Sequence, residues 1–483
     1  MILAIDQGTT GTTCMVFGAD GAPCGRAYRE FTQHFPRPGW VEHDAAEIWE
    51  VTRAVAREAI ADAGDPELRG IGITNQRETV VAWDAKTGEP LHNALVWQDR
   101  RTAGRCDELR AQGHEPLFRE RTGLVLDPYF SGTKIEWLLR EGGVPPDARF
   151  GTIDSWLIHK LTGSHVTDYS NASRTLLFDI TKREWDPELC DLLGVDSSSL
   201  PEALPSAHVY GETSEFGGSV PVAGVAGDQQ AALYGQACHE PGLGKNTYGT
   251  GSFVLENAGT DPPPVCEGLL NTIAWGVDGR VDYALEAAIF VTGAAVQWLR
   301  DGLGIIGEAA ETEALAASLD GNDGVYFVPA LTGLGAPHWD PYARGTITGL
   351  TRGAGRAHLA RAALEAIAYQ TADAVQAMED ASGVRLEELR ADGGAVANGW
   401  LMQFQADVLG VPVVVPEVAE TTALGAAYLA GVATGTWSEA DVADMWREAA
   451  RYEPAMDAGE RGRLMGEWAD AVERSRNQAT GSG

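Results

Sequence analysis

The apolar positions of the chain fall into two similar patterns, one at its start and one near its middle. Ile2-Leu3-Ala4-Ile5 and Cys14-Met15-Val16-Phe17 are unbroken apolar runs separated by the polar turn Gly8-Thr9-Thr10-Gly11. This predicts two buried strands joined as a hairpin whose tip presents backbone N–H groups and hydroxyls. Asn246-Thr247-Tyr248-Gly249-Thr250-Gly251-Ser252-Phe253-Val254-Leu255-Glu256 repeats the plan. Most Gly/Thr turns are only turns, but two of them facing each other across a cleft would clamp the phosphates of a nucleotide between two domains. Asp6 closes the first strand with no basic residue beside it, so its charge suits a hydrated Mg²⁺ carried by that nucleotide.

Between the hairpins the period changes. Glu47 to Ala63 has apolar residues at helical spacing and stops at Gly64-Asp65-Pro66, so it reads as a covering helix. Leu68 to Thr74 reads as a strand that delivers Asn75-Gln76-Arg77-Glu78-Thr79 to its end, and Val80 to Asp84 as another, turning at Lys86-Thr87-Gly88. From Ala111 to Leu204 the pattern is more helical, with helices over Trp156 to Leu161 and Glu188 to Leu193. Beyond the second hairpin come a helix over Ala294 to Arg300 and a long Ala-rich helix from His358 to Glu379. A strand from Leu389 then enters the turn Asp392-Gly393-Gly394-Ala395, ahead of another helix opening near Asn398. Thr422 to Ala427 predicts a tightly packed helix, and Asn477 to Gly483 a disordered tail. Strands alternating with helices make the fold α/β, and 483 residues exceed what one core can organise. The punctuation at Pro241-Gly242-Leu243-Gly244 divides the chain into 1–245 and 246–483.

Composition narrows the setting. The net charge is −33, which argues against nucleic acid or an anionic membrane as a partner. Only Lys86, Lys134, Lys160, Lys182 and Lys245 are lysines, although Arg, Asp and Glu are abundant, an imbalance that points to a cytoplasm rich in salt. Six scattered cysteines with no CxxC pair imply a reducing compartment without a zinc site. No apolar run reaches the roughly 18 residues of a membrane span, and no leader precedes the first strand, so the expected location is cytoplasmic. Two phosphate-binding motifs fail: the first glycine of GxxxxGK would fall on His239, and the GxGxxG match at Gly302 to Gly307 follows a helix where a strand is required.

Six blocks carry a family resemblance. They are Asp6-Gln7-Gly8-Thr9-Thr10, Asn75 to Thr79, Tyr129 to Trp137, Gly227-Asp228-Gln229-Gln230, Gly335 to Pro341 and Asp392-Gly393-Gly394-Ala395. With them the chain resembles, over nearly its whole length, the FGGY sugar kinases, and among these the members that phosphorylate glycerol. The resemblance implies two actin/hexokinase-like (ribonuclease H-like) domains around a nucleotide cleft. It also implies ATP-dependent conversion of glycerol to sn-glycerol 3-phosphate, the first step of glycerol catabolism, with another small polyol or a ketose as the alternative acceptor. Asp228 would then be the catalytic base, and Arg77, Glu78, Tyr129, Asp228 and Gln229 would bind glycerol between the apolar walls Trp97 and Phe253. Thr9, Thr10 and Gly11 would meet ATP phosphates from one side and Thr250 from the other. Gly293, Gln297, Gly394 and Asn398 would bound the nucleotide, Asp6 would hold Mg²⁺ mostly through water, and the protein would be a homo-oligomer, a dimer or tetramer.

Taken without the resemblance, each residue has a plainer reading: Asp228 as a helix cap, Arg77 with Glu78 as a surface ion pair, Trp97 and Phe253 as core. Family members commonly carry Arg at the position of Thr13, so a cation expected near the transferring phosphate is missing. Related bacterial enzymes are inhibited by fructose 1,6-bisphosphate at a Gly-rich loop with an Arg. The matching loop here, Gly211 to Ser219, has Ser219 at the Arg position and carries Glu212 and Glu215, so no such inhibition is expected. Charge also sets an expectation for stability: concentrated ions screen repulsion among the many carboxylates. The melting temperature should therefore rise from low to molar KCl, and a flat or falling trend in thermal melts would contradict the saline setting.

Overall fold

The computed structural model describes residues 1–476 and 478, and the remainder of the Asn477–Gly483 tail lies outside that description. The opening hairpin is β1 (Ile2–Gln7) and β2 (Gly11–Phe17), extended by β3 (Pro23–Glu30). Helix α1 (Ala45–Asp62) begins two residues before the expected Glu47, because the Asp44 carboxylate accepts from the Ala46 and Glu47 N–H groups and caps it there. Next come β4 (Gly70–Asn75), α2 (Ile153–Thr162), the antiparallel pair β5 (Ala207–Thr213) and β6 (Val220–Gly227), and α3 (Asp228–Gly235). Their sheet runs β5-β6-β4-β1-β2-β3, with β4 parallel to both β1 and β6.

The second half repeats this order. It comprises β7 (Leu243–Tyr248), β8 (Ser252–Gly259), β9 (Leu270–Val277), β10 (Arg280–Ile289), α4 (Arg356–Ser382), β11 (Glu388–Gly393), α5 (Gly399–Leu409), β12 (Val413–Pro416), α6 (Thr421–Ala433) and β13 (Glu448–Tyr452). The sheet runs β9-β10-β8-β7-β11-β12-β13. In each half a run of antiparallel strands, three in the first and four in the second, is followed by two parallel strands and an antiparallel edge, so the repeated hairpin of the sequence marks a repeated fold. The chain crosses between the sheets over residues 236–242, and there we propose the domain division, since a cut after Lys245 falls inside β7.

Strands β1 and β4 are apolar up to their polar ends, Asp6-Gln7 and Thr74-Asn75, because both faces of their sheet are covered. Leu3, Ile5, Ile71 and Ile73 pack with α1 and α2, while Ile2 and Ala4 pack on the opposite face with α6. Thus α6, late in the sequence, lies on the sheet of the first half. Its fit demands small residues: a Cβ on Gly72 would stand 2.1 Å from the Ala426 carbonyl oxygen, and one on Gly425 1.8 Å from that of Ala231. The tight packing read from residues 422–427 is this contact. Between Ala111 and Leu204 the expected helices form, interleaved with strands of two to four residues too short to leave a pattern. The helix expected to Arg300 runs only over Gly293–Gln297 before widening into a π turn at Trp298–Gly302. Among the described residues no helix is long and apolar enough to cross a membrane.

The loop expected over Gly211 to Ser219 begins on the end of β5, which carries Glu212, and continues as the turn to β6, which carries Glu215. Glu212 accepts from Ser219 Oγ, while Arg57 of α1 pairs with Glu215 and Arg53 stands 3.7 Å from it. Arg53 also pairs with Glu50, so these two cations stand against three carboxylates and an incoming anion faces net negative charge. Titrating fructose 1,6-bisphosphate into a kinase assay at modest salt is expected to give no inhibition; saturable inhibition would contradict this.

Candidate active site

The end of β4 supplies the first two residues. Arg77 and Glu78 are buried, 2% and 1% exposed, so they are not the surface pair of the plainer reading. Glu78 has a positive φ of 61°, a conformation that costs a non-glycine residue about 1–3 kcal/mol and collects at functional sites. It turns the carboxylate away from its neighbour: Arg77 Nε stands 3.8 Å from Glu78 Oε1, whereas Arg174 Nε donates to that oxygen at 2.7 Å.

Arg77 instead reaches across the halves. Its Nε is 3.0 Å from Asp228 Oδ1, and its Nη1 and Nη2 donate to the two Glu286 oxygens at 2.5 and 3.3 Å. Arg174 Nη2 donates to Glu286 Oε1 at 2.9 Å. Glu286 on β10 of the second half therefore sits between two guanidinium groups of the first. Burial alone would raise its pKa, but Arg174 and Arg77 outweigh it and hold the carboxyl at about 2. Arg174 and Glu286 were not among the residues expected from sequence. The one signal for Glu286 was a lone acid in the apolar run Tyr283-Ala284-Leu285-Glu286-Ala287-Ala288-Ile289.

Asp228 opens α3 at the floor of the cleft, its side chain 33% exposed. Oδ1 is held by Arg77 and by the Gln229 backbone N–H at 2.7 Å, while no hydrogen bond reaches Oδ2 among the described residues. Gln229 follows, its Oε1 accepting from Lys245 Nζ of β7. Nearby, Tyr129 and Trp97 meet edge to face at 5.5 Å. Lys134, fully buried, donates to the Pro128 and Tyr129 carbonyls at 2.5 and 2.8 Å and so fixes the Tyr129 turn. Phe253 is half-buried beside the core between the halves. Arg77, Glu78, Tyr129, Asp228 and Gln229 thus converge on one floor, with Trp97 against Tyr129.

The hairpin tip joins this floor. The Trp97 indole N–H donates to Thr9 Oγ1 at 2.8 Å, and Gln33 Nε2 donates to the Thr9 carbonyl at 3.0 Å. Gln33 Oε1 accepts from His43 Nε2 at 2.7 Å, and His43 Nδ1 accepts from Gln76 at 3.3 Å. Burial, with His34 nearby, keeps the His43 pKa at about 4, so the ring is neutral and can serve both roles. Thr10 is exposed at the tip and Gly8 N–H closes the turn on the Gly11 carbonyl. Asp6 accepts no side-chain hydrogen bond among the described residues, and Thr13, its partner across the hairpin, brings it no cation. Burial, and then the Asp228 charge, raise the Asp6 pKa to about 7. Asp6 has no cation of its own and Asp228 keeps Oδ2 open beside its Arg77 contact, which fits a divalent ion held through water, and no cluster of three protein ligands occurs among the described residues.

The second half contributes a cavity of about 430 Å³ that gathers Thr250, Gly293, Gln297, Gly394 and Asn398, with Val296, Leu364 and Ile367 as apolar lining. Thr9, Thr10 and Gly11 do not line it. The Thr250 carbonyl accepts from the Thr292 and Ala294 N–H groups, tying the second hairpin tip to the helix at Gly293. Asn398 Oδ1 caps α5 by accepting from Leu401 N–H at 2.9 Å.

Glu286 should dominate the stability of the floor. Replacing it by Gln leaves two buried guanidinium groups undercompensated, at a cost of about 3 kcal/mol or more. Removing the exposed Arg463, paired with Glu460 and Glu467, should cost less than about 1 kcal/mol. Because the folded pKa of Glu286 lies below its ordinary 4.5, its contribution is present above pH 4.5 and lost as pH falls toward 2. Denaturant melts of E286Q and R463Q check both; equal losses would contradict the assignment.

Residues 1–235 match the N-terminal domain, and residues 244–434 the C-terminal domain, of the FGGY family of carbohydrate kinases. Over 491 residues the chain is 58% identical to a glycerol kinase of Symbiobacterium thermophilum, with 99% of each covered. Its fold is similar to that of Plasmodium falciparum glycerol kinase with ADP, at a TM-score of 0.94 and 36% identity over 98% of both chains. A xylulose kinase from Rhodospirillum rubrum follows the same fold, at a TM-score of 0.88 and 27% identity over 98% of both chains. The chain belongs to the FGGY family of carbohydrate kinases.

Proposed function

We propose that this protein transfers the γ-phosphoryl group of ATP to a primary hydroxyl of glycerol, giving sn-glycerol 3-phosphate and ADP. The observation that carries the reading is the asymmetry of the Asp228 carboxylate: Oδ1 is locked by Arg77 and the Gln229 N–H, and Oδ2 is free at the cleft. A carboxylate cannot ionise an alcohol outright. In a loose phosphoryl-transfer transition state it needs only to orient the hydroxyl and accept its proton as the new P–O bond forms. The hydroxyl proton goes to Oδ2, and the bond to the β-phosphate oxygen breaks to release ADP.

The remaining groups suit a three-carbon polyol. Arg77 offers donors, Glu78 and Asp228 acceptors, and Trp97, Tyr129 and Phe253 an apolar edge. Trp97 and Tyr129, packed edge to face, are large walls that suit a small acceptor. The identity to glycerol kinases over the whole chain supports the same choice. Thr9, Thr10 and Gly11 would bind phosphate from the first half and Thr250 from the second, with Gly293, Gln297, Gly394 and Asn398 bounding the nucleotide. Asp6 would hold Mg²⁺ through water, and the ion would neutralise charge on the phosphoryl oxygens. The acidic, lysine-poor composition supports a salt-rich cytoplasm as its setting.

Asp228→Asn keeps the shape of the side chain but cannot accept the proton. Turnover should fall by at least about a hundredfold, with the apparent constants for glycerol and ATP within a few-fold. Steady-state kinetics in an ADP-release assay decide it: a tenth or more of wild-type turnover would exclude Asp228 as the base.

A further inference from the structure

We infer that Lys245 is a positioning residue for the acceptor site, fixing which end of the Gln229 side-chain amide faces the substrate. The inference rests on glycerol being the acceptor. Lys245 lies within β7, 0% exposed, and is one of only five lysines in the chain. Its Nζ donates to Gln229 Oε1 and, at 2.9 Å, to Thr247 Oγ1.

An ammonium has three donors and no acceptor. It therefore demands the carbonyl end of the Gln229 amide and excludes the amino end. Gln229 Nε2 makes no hydrogen bond among the described residues, so the amide turns two free donors away from the lysine. Gln229 adjoins Asp228, whose Oδ2 is the free acceptor. The pair thus presents an acceptor and a donor side by side, the arrangement a hydroxyl needs in order to give its proton while its oxygen is held. Without the ammonium the amide could rotate and offer its oxygen, placing two acceptors together.

The charges around Lys245 come from every side of the floor: Asp228 of α3, Arg77 beyond β4, Glu286 of β10 and Asp392 of β11. Arg390, opposite Lys245 on β11, is directed to Glu388 and the Gln236 carbonyl. Burial lowers the Lys245 pKa to about 8, against the pull of Asp392 and Asp228. Above that pH the neutral amine can itself accept, and its hold on the amide orientation is lost.

The test compares wild type, K245R and K245M from pH 6.5 to 9.5, with glycerol and ATP varied separately. K245M is expected to raise the glycerol KM at least tenfold, with the ATP KM within twofold. Wild-type kcat/KM for glycerol should fall above about pH 8, and K245R should largely restore it and move that limb beyond pH 9.5. An unchanged glycerol KM in K245M, or glycerol and ATP constants rising together, would overturn the inference. Should K245M fail to fold, Q229E keeps the lysine contact and removes the donor; a glycerol KM within twofold of wild type in that variant would overturn it equally. Wild-type protein that phosphorylates no glycerol refutes the functional reading and this inference together, whereas normal wild-type activity with an indifferent K245M refutes this inference alone.

Discussion

The floor of the cleft depends on one buried carboxylate. Glu286 reaches from the second sheet between Arg77 and Arg174 of the first half, and through Arg77 it fixes Asp228, through Arg174 Glu78. None of these charges could stand alone at such depth, because an unpaired buried ion costs several kcal/mol. The floor balances them: Arg77, Arg174 and Lys245 against Glu78, Glu286 and Asp228. Specific acceptor groups follow from that balance. Arg77 is rigid because both arms of its fork are engaged, and Asp228 has one oxygen left to use because the other is taken. The two halves are joined a second time where α6 lies on Gly72 and Gly224.

Much of the architecture could be read from the chain, because it follows from local pattern. The two Gly/Thr hairpins, the unbroken apolar strands beside them and the long helix before Gly383 are each set by neighbours in sequence. The small-residue run at residues 422–427 was legible for the same reason, since a helix without bulky side chains has to approach something closely. What it approaches was not legible: Gly72 lies 354 positions before Ala426 and Gly224 206 before Ala430, and nothing local ties them together. The strands of two to four residues between Ala111 and Leu204 were lost because so few residues carry no period.

The candidate site divides in the same way. Residues within short motifs, such as Arg77 with Glu78 or Asp228 with Gln229, could be singled out and do converge. Arg174, Glu286 and Lys245 could not, because each does its work through partners from distant segments. Only Glu286 leaves a trace, a charge in an otherwise apolar strand, whereas Arg174 sits in a polar turn and Lys245 in a mixed strand. Glu78 shows a subtler limit: its burial and left-handed backbone hold it 3.8 Å from Arg77, and Arg174, from a distant segment, is the closer partner at 2.7 Å.

The central claim is that this floor selects a three-carbon polyol, and it is tested most directly by acceptor preference. ADP release measured over a panel of glycerol, erythritol, xylulose, ribulose and gluconate at molar and low KCl gives kcat/KM for each. The account predicts glycerol ahead of every other acceptor by at least tenfold. A ketose or sugar acid equal to glycerol would contradict it.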